Sequence, residues 1–247
     1  MNFVKDSYSF LARLGCCALV FAITACSAPK ATIQLGGNLN VFSTPGPLDI
    51  NDLPDDWVTS DTIPQNAIAR TVALGLSTIS VTSTTQPFLI ARRVSVNLLA
   101  TPYLSWQWRL ESGKWEYHPV RIVIGFAGGS SEPIPHSTFS RLFPSSTLPR
   151  HDRVMSLMWA PSALMRGSLA PIKPDTSTYK REARYVVRGG PENIGIWWPE
   201  TVDLAALYKL SWPEDQQSSA RVTFIGLSSA PSKTHASAYI KDLRLSR

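Results

Sequence analysis

Residues 103–111 read YLSWQWRLE. Leu104, Trp106, Trp108 and Leu110 fall on one side of an extended chain, and Ser105, Gln107, Arg109 and Glu111 on the other. Successive side chains of a strand point to opposite faces, so this alternation predicts a strand with one face in a core and one in water. HPVRIVIGFAGG, residues 118–129, repeats the pattern with Val120, Ile122, Ile124 and Phe126 before a Gly-Gly stop. REARYVVRGG (181–190) and ARVTFIGLSS (220–229) behave alike, and SAYIKDLRLSR (237–247) supplies a last strand. Period-two segments bounded by Gly, Pro and Ser signal antiparallel sheet. One short helix is expected in TVDLAALYKL (201–210), capped by Thr201 or Asp203. Many short strands and few helices predict an all-β chain, an antiparallel β-sandwich. Between strands lies SSEPIPHSTFSRLFPSSTLPRHDR (130–153), whose prolines at 133, 135, 144 and 149 exclude a central strand and predict a long surface loop.

The start of the chain has a different character. Lys5 and Arg13 precede an apolar run of ten residues, Leu14–Ile23. A membrane-crossing helix needs about 20 apolar residues, so this run fits the central part of a secretory signal. The following ITAC (23–26) resembles the bacterial lipobox, which implies cleavage after residue 25 and acylation of Cys26. Ser27 in place of Asp favours the outer membrane. Cys16 and Cys17 leave with residues 1–25, so Cys26 has no disulfide partner and there are too few thiols for a zinc or iron–sulfur site. Residues 26–48, rich in Pro, Gly and small polar side chains, read as a lipidated tether with a first strand near Ile33–Leu35, and 49–247 as the sandwich domain. The net charge of +6 is spread along the chain and forms no basic helix or nucleic-acid motif, which excludes nucleic acid as a partner.

Several segments together carry a family resemblance: LPDDWVT (53–59), TPYLSWQWRL (101–110), RIVIGF (121–126), SLMWAP (156–161), YVVRGGPENIGIWWPETVDLAALYKLSW (185–212), and VTFIGLSS with SAYIKDLRL (222–229 and 237–245). From about Asp49 onward the chain resembles the bacterial family of domain of unknown function 3047. The resemblance implies a galactose-binding-like jelly roll of two antiparallel sheets and implies no activity. The chain departs from the family's pattern at Tyr117-His118-Pro119, where members often carry acidic residues. It departs again at SSAPSKTHAS (228–237), where members tend to have an Asp- and Asn-rich turn.

Candidate sites follow from residue chemistry. Of eight tryptophans, Trp106 and Trp108 belong to the core by their shared face with Leu104 and Leu110. Trp197 and Trp198 are adjacent, so one packs inward and the other can meet solvent, and Trp115 lies in an expected turn beside Gly113 and Lys114. Indole faces stack on the apolar faces of pyranose rings, which makes Trp115, Trp197 and Trp198 the candidate ligand contacts. Asp49, Asp52, Asp55 and Asp56 in LDINDLPDDW are a candidate structural calcium cluster, but their spacing is not that of an EF-hand loop, and turn and cap chemistry around Pro54 is the favoured reading. His118, His136, His151 and His235 form no HExxH or other close metal pair, and no GxSxG elbow exists. Glu111, Glu116, Glu192, Glu200 and Asp203 have no sequence spacing that fixes a glycosidase pair.

The expectation is therefore a lipid-anchored, periplasm-facing outer-membrane protein, without cofactor and non-catalytic, whose sandwich binds a glycan or another envelope component. Two alternatives are a hydrolase of envelope polysaccharide using loop carboxylates, and a structural protein partner in envelope assembly.

Overall fold

The computed structural model describes residues 30–34, 36–42, 48–50, 52–60, 63–113, 115–131, 148–172 and 181–247. The signal segment, Cys26, His136 and Pro133, Pro135 and Pro144 of the Pro-rich loop lie outside these residues.

The alternation of residues 103–111 becomes strand β6, Tyr103–Leu110, with Leu104, Trp106, Trp108 and Leu110 buried and Ser105, Gln107 and Arg109 half-buried on the other face. It pairs with β10, Trp198–Asp203, on one side and with β12, Ser237–Ser246, on the other. The hairpin of β3, Ile68–Ala73, and β4, Leu76–Thr82, continues beyond β12, and the two-residue β1, Leu39–Asn40, pairs with the far end of β12. This is the front sheet. The back sheet runs in the order β2 (Trp57–Thr59), β5 (Phe88–Asn97), β11 (Arg221–Ser229), β7 (Val120–Ala127), β8 (Arg153–Ala160), β9 (Glu182–Gly189). Two six-stranded sheets thus stack as the expected all-β sandwich.

The antiparallel expectation needs one correction: β9 runs parallel to β8. Twenty-odd residues separate the two strands, enough for the crossover that a parallel neighbour requires and a hairpin does not. The strand expected near Ile33–Leu35 is replaced by a turn: Gln34 N–H donates to Asn38 O and Gly37 N–H to Gln34 O. Leu35 lies outside the described residues. The tether reading of 26–48 is also shortened, because Ala31 bridges to Val94 and Leu39 and Val41 are buried in the core. Among the described residues, the sandwich begins by Ala31 rather than at Asp49.

The core holds a run of indoles. Trp106 and Trp108 of the front sheet meet edge-to-face at 5.6 Å, and Trp108 meets Trp159 of β8 at 5.5 Å, so one aromatic chain spans both sheets. The expected helix is α1, Leu204–Ser211; Asp203 caps it, its carboxylate accepting from Ala206 N–H at 2.9 Å, while Thr201 belongs to β10. Gly125 of β7 is required by close approach, since a Cβ there would strike the Phe224 ring lying across it. No helix among the described residues is long and apolar enough to cross a membrane.

Candidate functional site

The front sheet's solvent-facing side is set by what its inner side buries. With Trp106 and Trp108 inward, β6 presents Tyr103, Ser105, Gln107 and Arg109 outward. Register brings Tyr239 of β12 beside Arg109, Lys241 beside Gln107, and Arg244 and Thr201 beside Ser105. A shift in the β12–β6 register between Lys241 and Arg244 centres on Asp242, whose φ of 56° is tolerated by Asp better than by most residues. Asp242 accepts from Gln107 Nε2 at 3.2 Å.

Trp197 joins this face. The turn before it is pinned to the sheet by Arg109, whose Nε donates to Gly195 O at 2.9 Å, and by Gly195 N–H donating to Leu110 O at 2.9 Å. Lys241 Nζ stands 5.4 Å from the Trp197 ring centroid, and the Arg109 guanidinium 5.7 Å from that of Tyr239. The Trp197 indole N–H is enclosed and has no acceptor.

Trp198 turns the other way. Its Nε1 donates to Asn193 O at 2.9 Å and its ring lies 3.9 Å from the Arg188 guanidinium, packed against the core. The adjacent tryptophans therefore occupy opposite sides of the front sheet, and only Trp197 belongs to the polar face. Behind Trp198 a buried carboxylate, Glu200, accepts from Arg188 Nε at 2.5 Å and from Trp108 Nε1 at 3.2 Å, with Arg166 Nη2 at 3.7 Å. Arg188 reaches inward because of a register shift in the β8–β9 pairing. Val186 lies opposite Met158 and Arg188 opposite Trp159, leaving Val187 as the extra residue. This ion pair ties β9 of the back sheet to β10 of the front one.

The remaining candidates are dispersed. Trp115 packs edge-to-face on His118 at 4.9 Å and against the main core, away from Trp197, and a Cβ at Gly113 would collide with its indole nitrogen. Asp49, Asp52 and Asp55 are exposed, and Asp56 is engaged by Arg92 Nε at 2.6 Å. Among the described residues no three His, Cys, Asp or Glu side chains gather as a metal-holding group. Of the hydrolase carboxylates, Glu200 is in the buried ion pair, Asp203 caps α1, Glu111 accepts from Arg109 at 3.0 Å, and Glu192 accepts from Asn193 Nδ2 at 3.2 Å.

One cluster had no sequence signal. Arg153 pairs with Asp215 through two bonds of 2.8 and 2.7 Å, and Tyr208 of α1 donates its hydroxyl to Asp215 at 2.7 Å. Burial acts to raise Asp215, but the bonds from Arg153 and Tyr208 outweigh it and hold the carboxyl below its ordinary range. Neighbouring Asp152 is pushed up by burial, although Gly128 N–H donates to it at 2.8 Å. His118 is neutral: burial lowers it to about 4 against the opposing backbone of Val120 and Ser237.

No family model matches the chain, and no curated protein matches it. Solved structures similar to it include the xyloglucanase domain of NopAA, a type three effector from Sinorhizobium fredii, in complex with cellobiose. Identity there is 13% and the TM-score 0.38, over 82% of this chain and 97% of that one. Trichoderma harzianum endoglucanase 3 from family GH12 is 8% identical at TM-score 0.40, over 90% and 96%. The catalytic domain of Humicola grisea Cel12A, with a thio cellotetraose, is 9% identical at TM-score 0.40, over 85% and 94%. At such identities and TM-scores these likenesses assign no role to any residue of this chain.

Proposed function

We propose that this protein is a non-catalytic glycan-binding module whose binding surface is the outward side of the front sheet. The supporting observation is the placement of Trp197, with Tyr239 and Tyr103, on one open sheet face otherwise lined by Ser105, Gln107, Thr201 and Arg109. Aromatic faces take the apolar sides of sugar rings, and side-chain amides, hydroxyls and guanidinium groups meet ring hydroxyls. From Tyr103 to Arg109 the strand covers about 20 Å, a length for an oligosaccharide rather than a single ring. The Lys241 ammonium sits on a flexible stem and can swing off the Trp197 ring as a sugar arrives.

Three of the carboxylates weighed for a hydrolase are engaged, Glu200 and Glu111 in ion pairs and Asp203 in capping α1, while Glu116 and Glu192 are exposed outside the front face, which favours binding over cleavage. The lipobox reading of ITAC places the module in the bacterial envelope, anchored through Cys26 to the outer membrane. Cys26→Ala then leaves the signal uncut or frees the protein from membranes; fractionation with the outer membrane at mature size would refute the anchor.

Thermal unfolding of the purified protein with cello-oligosaccharides, xyloglucan fragments, peptidoglycan fragments and lipopolysaccharide tests the module. A ligand at 100 times its Kd stabilises by about 2.7 kcal/mol. Trp197→Ala removes that shift; because the indole is largely buried, the variant also unfolds about 1–2 kcal/mol more easily without ligand, and the ligand response is read against that new baseline. Absence of a shift with any polymer, combined with a stable crosslinked protein partner in intact cells, would replace the glycan reading by a protein-interaction one.

A further inference from the structure

Arg121 of β7 presents an unusual state for an arginine. It points to the outward side of the back sheet, its Nε–H is enclosed, and that nitrogen has no acceptor. Among the described residues no carboxylate lies within ion-pair distance of it; Glu182 acts on it only from farther away. Its other charged neighbour, Arg184 of β9, is of like sign. Burial first, and Arg184 second, lower the guanidinium to about 10, far below the ordinary arginine range. A cation that is largely buried and has no partner inside the fold costs folding energy and is retained where something outside the fold supplies the missing charge.

Arg121 lines an open cleft of about 430 Å³ between the segment 115–119 and the segment 230–234. Trp115 and Tyr117 form one side, Pro231 and Lys233 the other, and Lys233 is exposed at the rim. The acid on this lining, Glu116, is exposed and makes no ion pair with Arg121. The volume falls in the range of small-molecule sites. One side is aromatic, and the lining includes a guanidinium with no ion pair among the described residues, whose N–H donors suit a carboxylate or phosphate in geometry and charge.

We propose that this cleft binds an oxyanion borne on a sugar-sized ring, with Arg121 holding the carboxylate or phosphate, Lys233 adding a second positive charge, and Trp115 and Tyr117 flanking the ring. The site is on the opposite sheet from Trp197 and stands independently of the front-face reading.

The test is calorimetric titration and thermal unfolding of the purified protein with three probes: trigalacturonic acid, glucose 6-phosphate and neutral cellotriose. An anionic probe binds with an affinity that falls as salt is raised, because the contact is charge-assisted. A response to trigalacturonic acid alone identifies a carboxylate ligand, and a response to glucose 6-phosphate alone a phosphate. Arg121→Met lowers affinity for the anionic probe at least 10-fold and leaves the unliganded melting temperature equal or higher. Lys233→Ala, at an exposed position that folding does not need, weakens the same probe 3- to 10-fold at low salt. Trp197→Ala changes none of this, so failure here and failure of the front-face reading are separable. Three outcomes overturn the proposal: no binding of either anionic probe at millimolar concentration, equal binding by wild type and both variants, or a lower unliganded melting temperature in Arg121→Met. The last would mean that the guanidinium already has its partners inside the fold.

Discussion

The outward sides of the two sheets are built to different rules. In the front sheet β6 and β10 alternate, and the outer side carries Tyr103, Ser105, Gln107, Arg109, Tyr239 and Lys241. The back sheet is buried on both sides over much of its area. All eight residues of β8 are buried, and Val58, Leu89, Ala91, Val123, Val154 and Phe224 form a second apolar cluster away from the main core, with a smaller one at Met158, Ala160, Ala170 and Val186. A sheet with one wet side can spend that side on recognition without loss of stability. A sheet covered on both sides cannot, so a polar group there must be paired or must serve a purpose. The back-sheet arginines show this: Arg153 has Asp215, Arg188 has Glu200 and the Trp198 ring, and Arg121 has no such partner among the described residues.

The largest effects should separate the two outer sides directly. Phe224→Ala, on the covered side of the back sheet and fully buried, should lose about 3–5 kcal/mol in chemical denaturation. Tyr103→Ala, on the wet side of the front sheet and 41% exposed, should change stability by about 0.5 kcal/mol or less. A comparable loss in both would erase the distinction.

Glu200→Ala leaves Arg188 buried without its charge partner and should also cost about 3–5 kcal/mol, while the double variant Glu200→Leu, Arg188→Met should recover much of it. A double variant no better than the single one would mean that the pair's geometry, not its charge balance, holds β9 to β10.

The next effect is in pH. His118 has a folded value near 4, below the ordinary 6.5, so the unfolded chain takes up a proton that the native state refuses. Stability from this group is complete above about pH 6.5 and falls with decreasing pH toward 4, at about 1.4 kcal/mol per pH unit. His151, lowered by burial, adds in the same direction. His118→Gln should flatten that part of the stability profile; an unchanged slope would place its origin elsewhere.

The smallest effect has the opposite sign. Arg121→Met should raise stability by about 1 kcal/mol, or about 2–4 °C for a domain of this size, because it removes a largely buried cation repelled by Arg184. Together with the loss from Glu200→Ala, this would establish that one back-sheet arginine holds the fold and the other taxes it.

The same contrast governs what was legible in the chain. Period-two alternation exposed β6 and β7, which keep a regular inward set of side chains, and the existence of β11 and β12, in which a bulge shifts the inward set part-way along the strand. The segments FLIARRVSVN of β5 and RVMSLMWA of β8 are covered on both sides for much of their length and so lack that signature. The helix cap at Asp203 was readable because a cap is a local bond between residues three apart. The Trp197-Trp198 split was readable as a split, though not as to which ring faces out. The site at Arg121 was not, because alternation places that side chain on the polar side of β7 and does not say that loops 115–119 and 230–234 rise around it.

What the sequence by itself determined is the class of fold, the inward sets of β6 and β7 and the cap of α1, all of which depend on neighbours within a few positions. Only the tertiary structure decided which strand edges meet, that one extra residue at Val187 accompanies the inward turn of Arg188 toward Glu200, and that Arg121 is left with no acceptor for its enclosed Nε–H. Pairing of charges across a sandwich depends on sheet order, register and bulges, which are cooperative results of packing the whole chain and leave no mark in any short stretch of it.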